Sequence, residues 1–295
     1  MFLSLAFLAC GCTIATDDDT ATAASEVPGT TTASVPHPVA PTSDPEAWTT
    51  AAPVQTRPAA DLAAEFEALE STAGGALGLV LAPVGGGPAT VLGTWTSGVA
   101  WSTVKVPLAV AALRSNGDAV LADAAAAIES SDNAAADALW GSFGDSAAAG
   151  DAVESILRQG GDAATTVPRE RIRPEFSAFG QTEWSTQDQA NFVAGLSCIP
   201  DAAPVVEMMN NIVPEQQWGL GKLSDAAFKG GWGPSIDGGY DVRQIGIVTT
   251  VAGRVGVAIA AQPDSGSFAD GTAMLDSVGR WLESRSAQLP AGYCL

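Results

Sequence analysis

The chain has 295 residues and a 46% hydrophobic share, enough for one large domain with a real core. Its formal charge of −20 and pI near 4.1 leave no electrostatic footprint for nucleic acid and would be repelled by anionic lipid head groups. The one histidine, His37, lies in a Pro/Thr/Ala-rich stretch, so no Ser-His-Asp device, Cys-His device or His-based zinc site can form in a folded part.

Residues 1–12 carry a short apolar run that ends at Cys10, Gly11 and Cys12. A membrane-spanning helix needs about 20 apolar residues, so the run reads as the end of a secretory signal. No basic residue precedes it, and a natural start further upstream is expected. A cysteine directly after such a run is a bacterial lipidation site. Cys10 and Cys12 both sit in imperfect lipoboxes, with Cys10 preferred; an ordinary cleaved signal is the other reading. Residues 13–58 are Thr, Ala, Pro, Ser and Asp with no apolar periodicity, a composition that cannot offset its ordering entropy. As a flexible tether of about 45 residues it would reach ~35–40 Å. The expected location is extracytoplasmic, with the membrane touched only through a lipid anchor and plain secretion as the alternative.

The folded domain is read as 59–295. Helical spacing covers 60–70, and a hairpin follows from 78–83 and 89–92 around Gly85-Gly86-Gly87-Pro88. Residues 102–113 read as helix, as does the alanine-rich 118–143 with a break near Ser130 and Ser131. A helix at 152–158 precedes an irregular stretch at 166–183. Helices at 186–196, capped by Ser185 or Thr186, and 205–212 come next. Strands are expected at 218–223, 226–232, 240–250 and 254–262, then a closing helix over 271–285. Strands from both chain ends with helices between them point to an α/β (α+β) domain whose sheet is closed by the termini. The isolated pair Cys198 and Cys294 reads as a disulfide in an exported chain, against two buried thiols.

Three short segments could do chemistry. Ser102-Thr103-Val104-Lys105 puts a hydroxyl and an amine on one helix face at i and i+3. A lysine desolvated beside a serine can lose its proton and serve as the base that histidine would otherwise be. Trp101 and Pro107 flank the pair and would help exclude water. Ser131-Asp132-Asn133 offers a hydroxyl and an amide on one turn, though taken alone it is better explained as helix capping. Lys229-Gly230-Gly231-Trp232-Gly233 offers a cation on a strand whose glycines let a ligand lie against the backbone, or else a bulge with a solvent lysine.

In this order the three segments resemble the Ser-x-x-Lys, Ser-Asp-Asn, Lys-[Thr/Ser]-Gly set of class A β-lactamases and penicillin-binding proteins, especially the class A β-lactamase-like serine hydrolases found as actinobacterial lipoproteins. The resemblance runs from about residue 60 to the last helix. It implies an antiparallel sheet of about five strands with a reduced helical subdomain. It implies Ser102 as nucleophile, Lys105 as its base and Ser131 as proton shuttle. Asn133, Lys229, Gly231 and Trp232 would bind substrate, and Arg243 would be an added carboxylate anchor. The backbone N–H groups of Ser102 and Trp232 would form the oxyanion hole. No cofactor or metal is implied. A small molecule or a peptidoglycan stem peptide would be the substrate, and the protein is expected to be a monomer.

Three departures stand out. Gly230 replaces the hydroxyl residue of the third segment. The interval from Ser102 to Ser131 is short, so the cleft should be open on one side. Matching Pro174-Glu175-Phe176 to the family's irregular loop puts Arg173 where the hydrolytic glutamate belongs, and an arginine cannot activate water as a base. Glu170 and Glu175 are the nearby candidates for that role. The expected activity is therefore acylation of Ser102 by amide, β-lactam or ester, with turnover of β-lactams in doubt. An inactive protein of the same fold that binds cell-wall peptide, or acts as a spacer, is the alternative.

Overall fold

The computed structural model describes residues 59–235 and 239–294. The signal, the two lipidation candidates and the tether lie outside the described residues.

The chain runs α1 (Ala59–Glu70), β1 (Gly75–Pro83), β2 (Thr90–Gly93), β3 (Ser97–Val99), a 3₁₀ turn at Trp101–Val104, and α2 (Lys105–Asn116). Then come α3 (Leu121–Glu129), α4 (Asn133–Gly141), α5 (Ser146–Gln159), β4 (Glu183–Ser185), α6 (Thr186–Leu196) and α7 (Ala203–Asn210). It closes with β5 (Ala226–Pro234), β6 (Tyr240–Thr250), β7 (Gly253–Pro263) and α8 (Phe268–Glu283). The main sheet is antiparallel with strand order β2-β1-β7-β6-β5, so β5 is an edge. The expected strand at 218–223 is instead a 3₁₀ turn at Gly219–Lys222, because Gly219 takes φ +57° and turns the chain out of extension.

Strand alternation decides what each face of the sheet receives. On one face, Gly78, Val80 and Ala82 of β1 lie beside Ala260, Ala258 and Gly256 of β7. These small residues let α6 settle onto the backbone: a Cβ added at Gly256 would lie 2.5 Å from Ala194 N. The other face carries Leu77, Leu79 and Leu81 beside Ala261, Ile259 and Val257. There the terminal helices close the core, with Phe66 of α1 edge-on to Trp281 of α8 at 5.5 Å. Both faces are buried, which is why the strands read as near-continuous apolar runs.

Across the sheet, α2 is the buried axis of the helical part, with every residue from Lys105 to Ala112 buried. Its neighbours are fixed at their starts by side-chain caps, Asp132 Oδ1 accepting from Ala135 N at 2.8 Å and Asp145 Oδ1 from Ala148 N at 2.8 Å. α6 starts in the same way on Ser185.

Cys198 and Cys294 form a disulfide, with Cα atoms 5.4 Å apart, that ties the C-terminal tail to the end of α6. It closes 96 residues of chain. A loop of that size confers typically ~2–4 kcal/mol. Both cysteines are exposed. Cys198→Ser should therefore lower unfolding stability by about that amount, and reductant should destabilise the native protein equally while leaving the variant unchanged. Denaturant titration with and without reductant checks this.

Candidate active site

The 3₁₀ turn that carries Ser102 is held in an unusual backbone. Trp101 has φ +52°, a left-handed conformation costly for a bulky residue, of order 1–3 kcal/mol. Its ring packs on Gly233, where an added Cβ would lie 2.5 Å from the ring carbons, and edge-on to Phe176 at 5.1 Å. Behind the turn, Thr103 Oγ1 donates to Ala100 O at 2.6 Å and accepts from Gln189 Nε2 at 2.9 Å. Ser102 opens from this turn into a cleft whose water-accessible volume is about 280 Å³.

Lys105 begins α2 and is 2% exposed. Its Nζ donates to Ser131 O at 2.7 Å, Asn133 Oδ1 at 2.8 Å and Asp132 O at 3.2 Å, and stands 3.5 Å from Ser131 Oγ. Ser131 is, among the described residues, the second non-glycine residue with positive φ, +61°. That left-handed step between α3 and α4 turns its carbonyl and hydroxyl toward Lys105. Asp132 takes the helix-capping role, which leaves Ser131 and Asn133 free for the cleft. From the sheet side, Lys229 Nζ donates to Ser131 Oγ at 3.0 Å and to Gly230 O at 2.8 Å. Thus Ser102, Lys105, Ser131 and Asn133 line one cleft, and Lys229 reaches it from below through Ser131.

Burial lowers the Lys105 pKa to about 8, against the opposing pull of Asp132 and Asp137. Lys229 is fully buried, and desolvation together with the charge of Lys105 pushes its pKa well below the ordinary lysine value. Asp137, one turn beyond Asn133 on α4, also lines the cleft. Sequence reasoning passed over it, although the i+4 spacing from Asn133 was there to be read.

On β5 the parity of the strand sets the site. Lys229, Gly231 and Gly233 face the helical part. A Cβ at Gly231 would lie 2.8 Å from Ala100 O and 2.9 Å from Ser102 N, so only glycine lets the strand meet the nucleophile turn. Gly230 and Trp232 face the other way, and Trp218 fills the space beside Gly230, 3.0 Å from an added Cβ.

Two expected site residues are placed elsewhere. Arg243 is fully buried and cannot anchor a substrate carboxylate. Its Nη1 donates to Gly98 O at 2.7 Å and Val99 O at 2.8 Å, its Nη2 to Trp184 O at 2.9 Å and Gln189 Oε1 at 2.7 Å. It binds β3, β4 and α6 together and, through Gln189 and Thr103, supports the Ser102 turn. Glu170 does not line the cleft, whereas Glu175 does. Arg173, at the position matched to the hydrolytic base, stacks 4.3 Å over Phe176 and 5.3 Å over Trp101 and donates to Pro234 O at 3.0 Å.

No protein-family model matches the chain, and no curated protein matches it. Solved class A β-lactamases share its fold. The reconstructed class A β-lactamase of the last common ancestor of Gram-negative bacteria superposes with a TM-score of 0.59 at 19% identity, over 76% of this chain and 98% of that one. The β-lactamase of Desulfarculus baarsii gives 0.56 at 18% identity, over 77% and 98%. The chain therefore has a β-lactamase-like fold; at these identities its chemistry has to be argued from its own residues.

Replacing Arg243 should act on the scaffold. Arg243→Met strands carbonyls that now accept charged hydrogen bonds and should cost ~2–4 kcal/mol in unfolding free energy. Arg243→Lys should not restore it, since an ammonium cannot span the same planar set of acceptors. Denaturant unfolding of both variants tests this; a stable Arg243→Met protein would refute the clamp.

Proposed function

We propose that this chain is an active-site serine acylase of the β-lactamase and penicillin-binding type. The observation that carries the reading is the meeting of Lys105 and Lys229 on Ser131 at the cleft that Ser102 lines. In the proposed step, neutral Lys105 accepts the Ser102 proton, directly or through Ser131, as Oγ attacks the acyl carbon. The backbone N–H groups of Ser102 and Trp232 receive the developing oxyanion. The acyl C–N or C–O bond breaks, and the leaving amine or alcohol departs with a proton returned through Ser131. Water then releases the acid and regenerates Ser102.

Acylation and release are unequally equipped. Arg173 is committed to Phe176, Trp101 and Pro234, leaving exposed Glu175 and Asp137 as the carboxylates lining the cleft. Slow hydrolysis of the acyl-enzyme follows. The disulfide suits an oxidising compartment, and together with the apolar run before Cys10 and Cys12 it supports an extracytoplasmic protein, lipid-anchored at the cell envelope. Stem peptides of the wall are the natural substrates of such a location.

A second reading is a binding protein without turnover. It draws on one detail: Lys105 Nζ is directed at Ser131 O, Asp132 O and Asn133 Oδ1, and among the described residues it makes no hydrogen bond to Ser102. Intact-protein mass spectrometry over a time course with an ester probe and a β-lactam decides between the two. A long-lived adduct at Ser102, absent in Ser102→Ala and formed ~10²–10⁴-fold more slowly in Lys105→Ala, supports the acylase. No adduct with any probe supports the binding protein.

The pH dependence follows from Lys105. Its lowered pKa of about 8 leaves it about one-tenth neutral at pH 7, and only the neutral amine is a base. Adduct formation should climb with pH through about 8 and level off above it. Asp137→Asn removes a negative charge that favours the ammonium, so the midpoint should move to lower pH. Acylation rates from pH 6 to 10 check both statements.

A further inference from the structure

The wall of the cleft formed by β5 and the start of β6 is aromatic, and the two cations those strands carry are buried. From Lys229 to Arg243 the sequence contains no basic residue between those two. Both are fully buried: Lys229 donates to Ser131 and Gly230, and Arg243 donates to four acceptors on β3, β4 and α6. The cations that do line the cleft are Lys105 at its base, with its donors engaged, and Arg171 on the loop opposite. Arg171 shares the cleft lining with the carboxylates Asp137, on α4, and Glu175, on its own loop. A hydroxyl at position 230 is also missing, and Trp218 fills the space beside that glycine.

What the hairpin wall offers instead is ring surface. Trp232 and Tyr240 line the cleft and are half-buried. Their positions are fixed from behind by Phe268, 5.5 Å from the Trp232 ring and 6.0 Å from Tyr240, and by Trp218, 6.2 Å from Trp232. Trp101, Phe176 and Phe179 complete the aromatic lining. A carboxylate placed against this wall would lose hydration and find Lys229 and Arg243 buried and Arg173 already engaged with Trp101, Phe176 and Pro234 O, a costly exchange. A neutral flat group would bury apolar area against rings already held in place.

Resting on the acylase reading, we infer that the part of the substrate lying along β5 is neutral and ring-like or apolar, and that the protein selects esters or amides lacking a free carboxylate at that end. Trp232 and Tyr240 are the specificity-determining residues.

A matched pair of compounds tests this: phenylacetyl-glycyl-lactate as the free acid and as its primary amide. They share the acyl ester and differ only in the charge beside it. Titration calorimetry with Ser102→Ala should show the amide binding at least tenfold more tightly than the acid, and acylation of the native protein should favour the amide by a similar factor. Trp232→Ala should reduce the preference to threefold or less, while Trp232→Phe retains most of it. Equal or tighter binding of the acid, or measurable binding of neither compound, overturns the inference. If Ser102→Ala prefers the amide but the native protein is never acylated, the inference stands and the acylase reading falls. If the native protein is acylated and prefers the acid, the acylase reading stands and the inference falls.

Discussion

Two buried lysines converge on one serine hydroxyl, and most of the structure around the cleft can be understood as the means of holding them there. Lys105 and Lys229 lie on different elements, one on the first turn of α2 and one on edge strand β5, and among the described residues neither has a carboxylate within hydrogen-bonding distance. Burying two ammonium groups so close together is unfavourable twice over, through lost hydration and mutual repulsion. The chain offsets this with oxygen acceptors: the carbonyls of Ser131, Asp132 and Gly230, the Asn133 amide and the Ser131 hydroxyl. That requires Ser131 to present both its carbonyl and its hydroxyl inward, which its left-handed backbone does. The lost hydration is not fully replaced, and it is what keeps Lys105 close to giving up a proton.

The sheet then has to deliver Lys229 to that point while letting the Ser102 turn come close. A period of two does both at once. Lys229 points into the helical part, and the next two residues on the same face, Gly231 and Gly233, are the ones that touch Ser102 N and the Trp101 ring. Any side chain at Gly231 would meet backbone, which cannot move away as a flexible side chain can. The opposite parity leaves Trp232 with Trp218 and Phe268. One strand therefore supplies a cation, the floor under the nucleophile and an aromatic wall, and the choice among them is a matter of odd and even positions.

How much of this was legible beforehand follows from the range of the interactions involved. Ser102 with Lys105, and Ser131 with Asn133, are separated by three residues or fewer, so local spacing was enough to single them out. That the sheet draws its strands from both chain ends followed from the apolar runs there. Arg243 was misread because its role depends on register: only the pairing of Gly231 with Arg243 shows that its side chain leaves β6 on the face toward α6. The strands β3 and β4 are three residues each, too short for any periodicity to register. The 219–222 segment was read as strand because its apolar content was counted and the freedom of Gly219 was not. Trp218 beside Gly230 lies beyond any local pattern, which is why the glycine first registered only as a missing hydroxyl.

The irregular loop shows how a site can keep its shape while changing its chemistry. At the position where the resemblance calls for a base, Arg173 lies over two aromatic rings and donates to the last carbonyl of β5. A guanidinium suits that task because it is planar, permanently charged and weakly hydrated, so it can stack and donate together. The same properties disqualify it from taking a proton from water. Its contact with Trp101 also bears on the nucleophile, since Trp101 is the strained residue just before Ser102 and needs packing on both sides to stay in its left-handed conformation. Gly233 supplies one side, and Phe176 with Arg173 supplies the other. The loop thus supports the acylation half of the site from the place where the release half would otherwise be, and no single residue at that position could do both.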